Sequence, residues 1–170
     1  MYYLVHNIGP KPANRDVAPN YTEPWAIESA NKRLTFDGVY ENVWLHRDLL
    51  RKKHQAPILF IMGDYVGKTN EFDRPMPLEK YCNWDQLFDL VLNYGCEFGW
   101  HTWSHRNLVT LSDELVRKEV RPPFPMKYFA YPYGDVDARV ANLVREAGYE
   151  LAFSVNQGND LPFQINRQYL

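Results

Sequence analysis

The sequence predicts an α/β fold in which a parallel sheet is closed or covered by helices. Strand-length and helix-length patterns alternate along the chain, which is the signature of strand–helix units. Residues 57–61 (PILFI) are apolar throughout, as strands buried on both faces are. His6, Asp37, His101 and Tyr133 each fall at or just past the carboxyl end of an expected strand, the end where parallel α/β barrels build their sites. A chain of 170 residues with 45% hydrophobic content can bury a substantial core and is expected to form one domain, 1–170.

Taken in order, residues 2–6 (YYLVH) form an aromatic and aliphatic strand ended by Asn7 and Gly9-Pro10. Residues 11–32 are rich in proline, asparagine and charge and read as a loop, with one short helical turn near 25–30. Residues 33–36 (RLTF) form the next strand and stop on Asp37-Gly38; a helix is expected over 43–54, with Leu45, Leu49 and Leu50 on its apolar side. After the strand at 57–61, residues 63–81 make a long Gly- and Pro-containing segment, a length more often functional than idle. Asn83 and Gln86 have capping-box spacing for a helix carrying Trp84, Leu87, Phe88, Val91 and Leu92, and Gly95 stops it. Ser112 caps a shorter helix with Leu115, Val116 and Val120, before three prolines break the chain. A strand over 127–130 leads into Tyr131-Pro132-Tyr133-Gly134, and Asp135 caps a helix that ends at Gly148. Strands over 151–155 and 163–165 flank a turn at 156–160.

The net charge of -2 offers no electrostatic footprint for nucleic acid or an anionic membrane, and the short basic clusters sit within helical patterns as solvated faces. Cys82 and Cys96 have no metal or redox spacing, which fits a reducing compartment. No signal peptide pattern precedes the first strand and no apolar run could span a bilayer, so a cytoplasmic location is the expectation; oligomeric state is not legible.

The stretch 96–105 (CEFGWHTWSH) carries the chemistry. His101 and His105 lie four positions apart at a strand exit, and a helical turn there would point both imidazoles the same way, able to hold one metal ion. A hydrolytic metal also wants a carboxylate and an open position for water. Imidazole and carboxylate donors suit zinc, with cobalt, nickel or iron also accommodated.

Residues 34–37 (LTFD), the box His101-Thr102-Trp103-Ser104-His105 and residues 129–134 (FAYPYG), in that order, resemble the polysaccharide deacetylase family, the NodB-homology domain of carbohydrate esterase family four. The resemblance runs from about residue 33 to 165 and implies a distorted (β/α) barrel of mostly parallel strands. It also implies metal-dependent removal of acetyl groups from N-acetylated sugars of a polysaccharide or its precursor, with a carbohydrate as the partner.

Carried over residue by residue, His101 and His105 match the two metal-binding histidines. Asp37 matches the first of two adjacent aspartates, the catalytic base, while the second, a metal ligand, falls on Gly38. Asp37 is therefore either the base or a ligand that has changed role, with Asp64 or Glu41 as stand-ins for the missing carboxylate. The general acid of a Leu-x-His motif has no counterpart late in the chain, but Leu4-Val5-His6 supplies the pattern at its start, as in circularly permuted members. His6 is then the candidate acid, and the backbone N–H of Tyr133 the candidate oxyanion donor. The arginine that begins the Pro-Tyr motif is absent, Ala130 standing in its place. Two further readings stay open: a catalytically impaired, carbohydrate-binding member of the same fold, and a hydrolase of a non-carbohydrate amide.

Overall fold

A computed structural model of the protein describes residues 2–10, 21–51, 55–72, 76–155 and 161–170. In chain order the strands are β1 (Tyr2–Val5), β2 (Asn7–Ile8), β3 (Tyr21–Thr22), β4 (Arg33–Asp37), β5 (Ile58–Ile61), β6 (Glu97–Trp100), β7 (Tyr128–Ala130), β8 (Leu151–Val155) and β9 (Ile165–Tyr169). Seven of them close a barrel in the order β1, β4, β5, β6, β7, β8, β9, every pairing parallel, with β1 lying between β9 and β4. The short strands β2 and β3 pair with each other alone, Asn7 opposite Tyr21. The expected parallel α/β barrel is therefore present.

Strand alternation divides the core in two. Ile58 and Phe60 of β5, Tyr128 and Ala130 of β7 and Phe153 of β8 form the inner cluster. Their neighbours Leu59, Ile61, Phe129 and Ala152 join Phe36 and the helix residues of the larger outer cluster. Gly99 of β6 makes the inner packing possible: a Cβ there would meet Phe60 Cδ1 at 2.5 Å. The helices are α1 (Pro24–Ser29), α2 (Glu41–Leu45), α3 (Trp84–Tyr94), α4 (Asp113–Glu119) and α5 (Ala138–Glu146). None of those among the described residues is long and apolar enough to cross a membrane.

Several boundaries differ from expectation. The helix expected over 43–54 is α2 followed by a 3-10 turn, Arg47–Leu49, because His46 leaves helical geometry and its ring Nδ1 donates to the Asn42 carbonyl at 2.8 Å. The far end of that expectation, 52–54, lies outside the described residues, as does the turn at 156–160. On α3 the capping box of Asn83 and Gln86 forms as expected, but the buried stripe is Leu87 and Leu90, while Phe88 and Leu92 face out. Asp137, not Asp135, caps α5, its carboxylate accepting from the Val140 amide, since Pro132–Gly134 first makes a 3-10 turn. The last strand runs to Tyr169 rather than ending at Ile165, which brings Arg167 into the barrel wall.

Candidate active site

The carboxyl ends of β1, β4 and β6 deliver His6, Asp37, His101 and His105 to the lining of one cleft of about 400 Å³. Asp37 is the last residue of β4, and His6 and His101 follow β1 and β6 directly. The four residues that the sequence singles out for acid, base and metal chemistry thus converge, although they are spread over a hundred positions.

His101 and His105 meet by a different route from the one expected. The segment after β6 is not helical: Thr102 and His105 hold φ of 70° and 55°, so a tight turn folds the second imidazole back onto the first. Their ring centroids lie 4.8 Å apart. The Thr102 hydroxyl accepts from the His105 amide at 3.0 Å, closing the turn. His101 is oriented from behind, its Nδ1 2.8 Å from the Ala130 carbonyl, so Nε2 faces the cleft 3.7 Å from Asp37 Oδ2. A backbone carbonyl on the far nitrogen is how metal-binding imidazoles are usually aimed.

Asp37 is gripped by a residue that the sequence reading did not name. Arg167 of β9, itself fully buried, donates from Nη1 to Oδ1 at 2.6 Å and from Nη2 to Oδ2 at 2.8 Å. Nη1 also reaches the Thr35 hydroxyl at 3.2 Å, and the guanidinium lies over the Phe60 ring. Ending the last strand at Ile165 hid Arg167; continuing its alternation through Ile165, Arg167 and Tyr169 would have put a charged residue on the inner face.

Electrostatics follow from burial. Desolvation lowers all three cleft imidazoles, His6 to about 4 and His105 to about 3. On His101 the Asp37 carboxylate opposes this lowering without overcoming it. For Asp37 burial alone would raise the carboxyl, but the Arg167 guanidinium, through its charge and its hydrogen bonds, holds it well below the usual carboxylate range. At neutral pH the site therefore holds one ionised carboxylate, one guanidinium and three neutral imidazoles.

These residues can be tested as a cation site. Among the described residues no ready group of three histidine, cysteine or carboxylate ligands is formed. They do offer two adjacent neutral imidazoles, with His105 Nδ1 buried and without a partner, beside a carboxylate oxygen. That donor set fits a divalent cation with positions left for water or a substrate oxygen. His101 and His105 would hold it, with an edge of Asp37 turned to the same place as ligand or base.

Neither stand-in carboxylate completes the set. Asp64 is exposed and does not line the cleft, and Glu41 is occupied by Gln86 at 2.9 Å and by Lys80 at 3.7 Å. Gly38 leaves no room for a side chain: its φ is 77°, and a Cβ would meet Met62 Cε and Tyr81 Cε1 at 2.9 Å each.

The segment after β5 supplies aromatic walls. It carries Tyr65, Phe72 and Tyr81 into a chain of ring contacts that ends with Phe72 6.0 Å from His105. The Tyr133 ring also stands 4.8 Å from His105 and is 65% exposed, its backbone at φ 62°. Of the other rings near the motifs, Trp100 and Tyr131 are fully buried core.

The model of the family described as polysaccharide deacetylase matches residues 31–152, over two thirds of the chain. The chain belongs to that family. It is 34% identical over 110 residues to chitin deacetylase 1 of Saccharomyces cerevisiae, a match covering 59% of this chain and 31% of that protein. It thus spans about a third of the length of that relative. Its fold is similar to that of the Streptococcus pyogenes deacetylase PplD, with a TM-score of 0.75 and 15% identity over 99% of this chain and 91% of the other. IcaB from Ammonifex degensii gives 0.74 and 18%, with the same coverage. At those identities the two neighbours speak for the fold alone. The deacetylase matched region contains Asp37, His101, His105 and Tyr133 but neither His6 nor Arg167.

Proposed function

We propose that the protein is a divalent-metal-dependent hydrolase that removes N-acetyl groups from the N-acetylated sugars of a polysaccharide or its precursor. The observation that carries this reading is the meeting of His6, Asp37, His101 and His105 in one cleft of a polysaccharide deacetylase barrel. Zinc suits imidazole and carboxylate donors, with cobalt, nickel or iron as the other candidates.

Amide hydrolysis needs a polarised carbonyl, an activated water, a donor for the oxyanion and a proton for the leaving amine. A divalent ion, when bound, supplies Lewis acidity that polarises the acyl oxygen and makes water more acidic. Asp37 takes the proton of the attacking water. Its two bonds from Arg167 fix the carboxylate's orientation and keep it ionised, which makes it a positioned but weak base, quick to pass the proton on. The Tyr133 amide is assigned as the donor to the oxyanion. His6 is neutral in the substrate-free site, so the proton that it gives the leaving amine is acquired during turnover, from the water by way of Asp37. β1 lies between β9 and β4 and His6 lines the same cleft as Asp37, His101 and His105, which supports the reading of His6 as the acid of a circularly permuted chain.

Phe72, which lines the cleft, and Tyr133, each exposed and in ring contact with His105, offer aromatic surface on which a sugar ring can stack. They favour a carbohydrate over a small non-sugar amide. Acetate release from N-acetylglucosamine oligomers tests the proposal: wild type releases acetate, Asp37→Asn and His101→Ala do not. A zinc-loaded wild type that binds these oligomers without releasing acetate would mark the impaired, sugar-binding reading, which Gly38 favours.

A further inference from the structure

The turn that brings the two imidazoles together is an unfavourable one. Thr102 and His105, neither of them glycine, sit at φ 70° and 55°, a conformation that persists only where the surroundings impose it. What imposes it is visible on both sides of the turn. The carbonyls of Thr102 and Trp103 accept from the amides of Gly63 and Asp64 at 3.0 Å each, so the exit of β5 holds one side. The amides are held by a single side chain. Glu119, the last residue of α4, accepts from the Trp103 and Ser104 amides at 3.0 Å each through Oε2, and from the Ser104 hydroxyl at 2.5 Å through Oε1. The anchorage is extended by the Trp100 indole, which donates to the Glu119 carbonyl, and the Trp103 indole, which donates to the Arg121 carbonyl, both at 2.9 Å. Val116 and Val120, buried in the outer core, fix the end of α4 that carries this carboxylate.

We propose that Glu119 is a positioning residue for the imidazole pair: its carboxylate gathers three donors lying between His101 and His105 and so presets the turn that aims both rings at one ion. Glu119 does not line the cleft, so it acts through the turn and not on substrate. A carboxylate suits the task because one group must accept three hydrogen bonds at once, and charge makes each of them stronger. The inference rests on the reading that the two imidazoles hold a divalent cation. It adds that their affinity for the ion is set from the side of the turn facing away from it, as partners behind metal ligands commonly do.

The test is the zinc dissociation constant of the purified protein, measured by competition with a chromophoric chelator, alongside the melting temperature of the metal-free form. Glu119→Ala is expected to bind zinc about 10- to 100-fold more weakly. Glu119→Gln, whose amide oxygen can still accept both backbone N–H groups while its NH₂ turns to the Ser104 oxygen, is expected to stay within about threefold of wild type. A purely structural role would lower the melting temperature of Glu119→Ala and leave the zinc affinity of the folded molecules unchanged, and that result overturns the proposal. Should Glu119→Ala not fold, Glu119→Asp decides in its place: one methylene shorter, it cannot reach all three donors, and wild-type affinity in that variant also overturns the proposal. A wild type that takes up no zinc removes the cation reading, and the role assigned to Glu119 with it.

Discussion

Arg167 and Asp37, 130 residues apart in sequence, face each other inside the barrel through two parallel hydrogen bonds of 2.6 and 2.8 Å. Arg167 is fully buried and Asp37 shows only one edge to the cleft, so each charge is the other's chief compensation. The arginine expected at the start of the Pro-Tyr motif is absent, Ala130 standing there, and β9 supplies a guanidinium from the opposite end of the chain.

Replacing Arg167 by Met leaves a buried carboxylate without its counter-charge, which costs about 3–5 kcal/mol of stability. The Asp37 carboxyl then rises towards the usual range or above it, so the acid limb of the kcat/KM profile moves to higher pH. Arg167→Lys keeps the charge but not the two-pronged geometry, and recovers part of the stability and little of kcat. Thermal melts and a pH–rate profile check both statements; a Met variant with an unmoved acid limb would show that Arg167 does not govern the base.

Restoring a second aspartate should not restore a ligand. Gly38→Asp forces a Cβ into a left-handed position against Met62 and Tyr81, with an expected loss of about 1–3 kcal/mol. Zinc affinity should fall or stay level. Tighter binding in a folded Gly38→Asp protein would show that the pocket can admit the carboxylate after all.

Acid should unfold the metal-free protein early. His6 and His105 have folded pKa values of about 4 and about 3, below the ordinary 6.5, so the unfolded chain binds more protons. Their contribution is fully present above pH 6.5 and is lost as pH falls towards those values, at up to about 1.4 kcal/mol per pH unit for each group. Asp37, lowered by its partners, adds a loss in the same direction below the ordinary carboxylate range. Denaturant midpoints from pH 7.5 down to pH 4 check this, with His6→Asn and His105→Asn each flattening the slope.

Phe72→Ala should raise KM for N-acetylglucosamine oligomers by up to about tenfold, the size of one aromatic contact, with little change in kcat. Steady-state kinetics on oligomers of increasing length separate this from a loss of catalysis, which would appear in kcat instead.

Much of the site was legible because parallel α/β folds place chemistry where strands end, and a strand ending in a polar residue is visible in sequence. His6, Asp37 and His101 were found in that way. His105 was found by a helical spacing that the structure does not use: the turn at Thr102 and Ser104 brings the rings together through long-range bonds to Glu119 and the exit of β5, which no local pattern displays. Arg167 was missed for a similar reason. Its role depends on a pairing across the closed barrel, and the strand that carries it was ended at Ile165, four residues short of Tyr169. On α3, spacing identified the helix but not its buried face, since Phe88 and Leu92 are as apolar as the Leu87 and Leu90 that pack inward.

Anomalous scattering from a zinc-soaked crystal measures the gathering of these groups most directly. One peak is expected within about 2.0–2.2 Å of nitrogens from both His101 and His105, beside the Asp37 carboxylate. A peak elsewhere, or none at the imidazole pair in zinc-saturated crystals, would contradict the metal-dependent deacetylase reading.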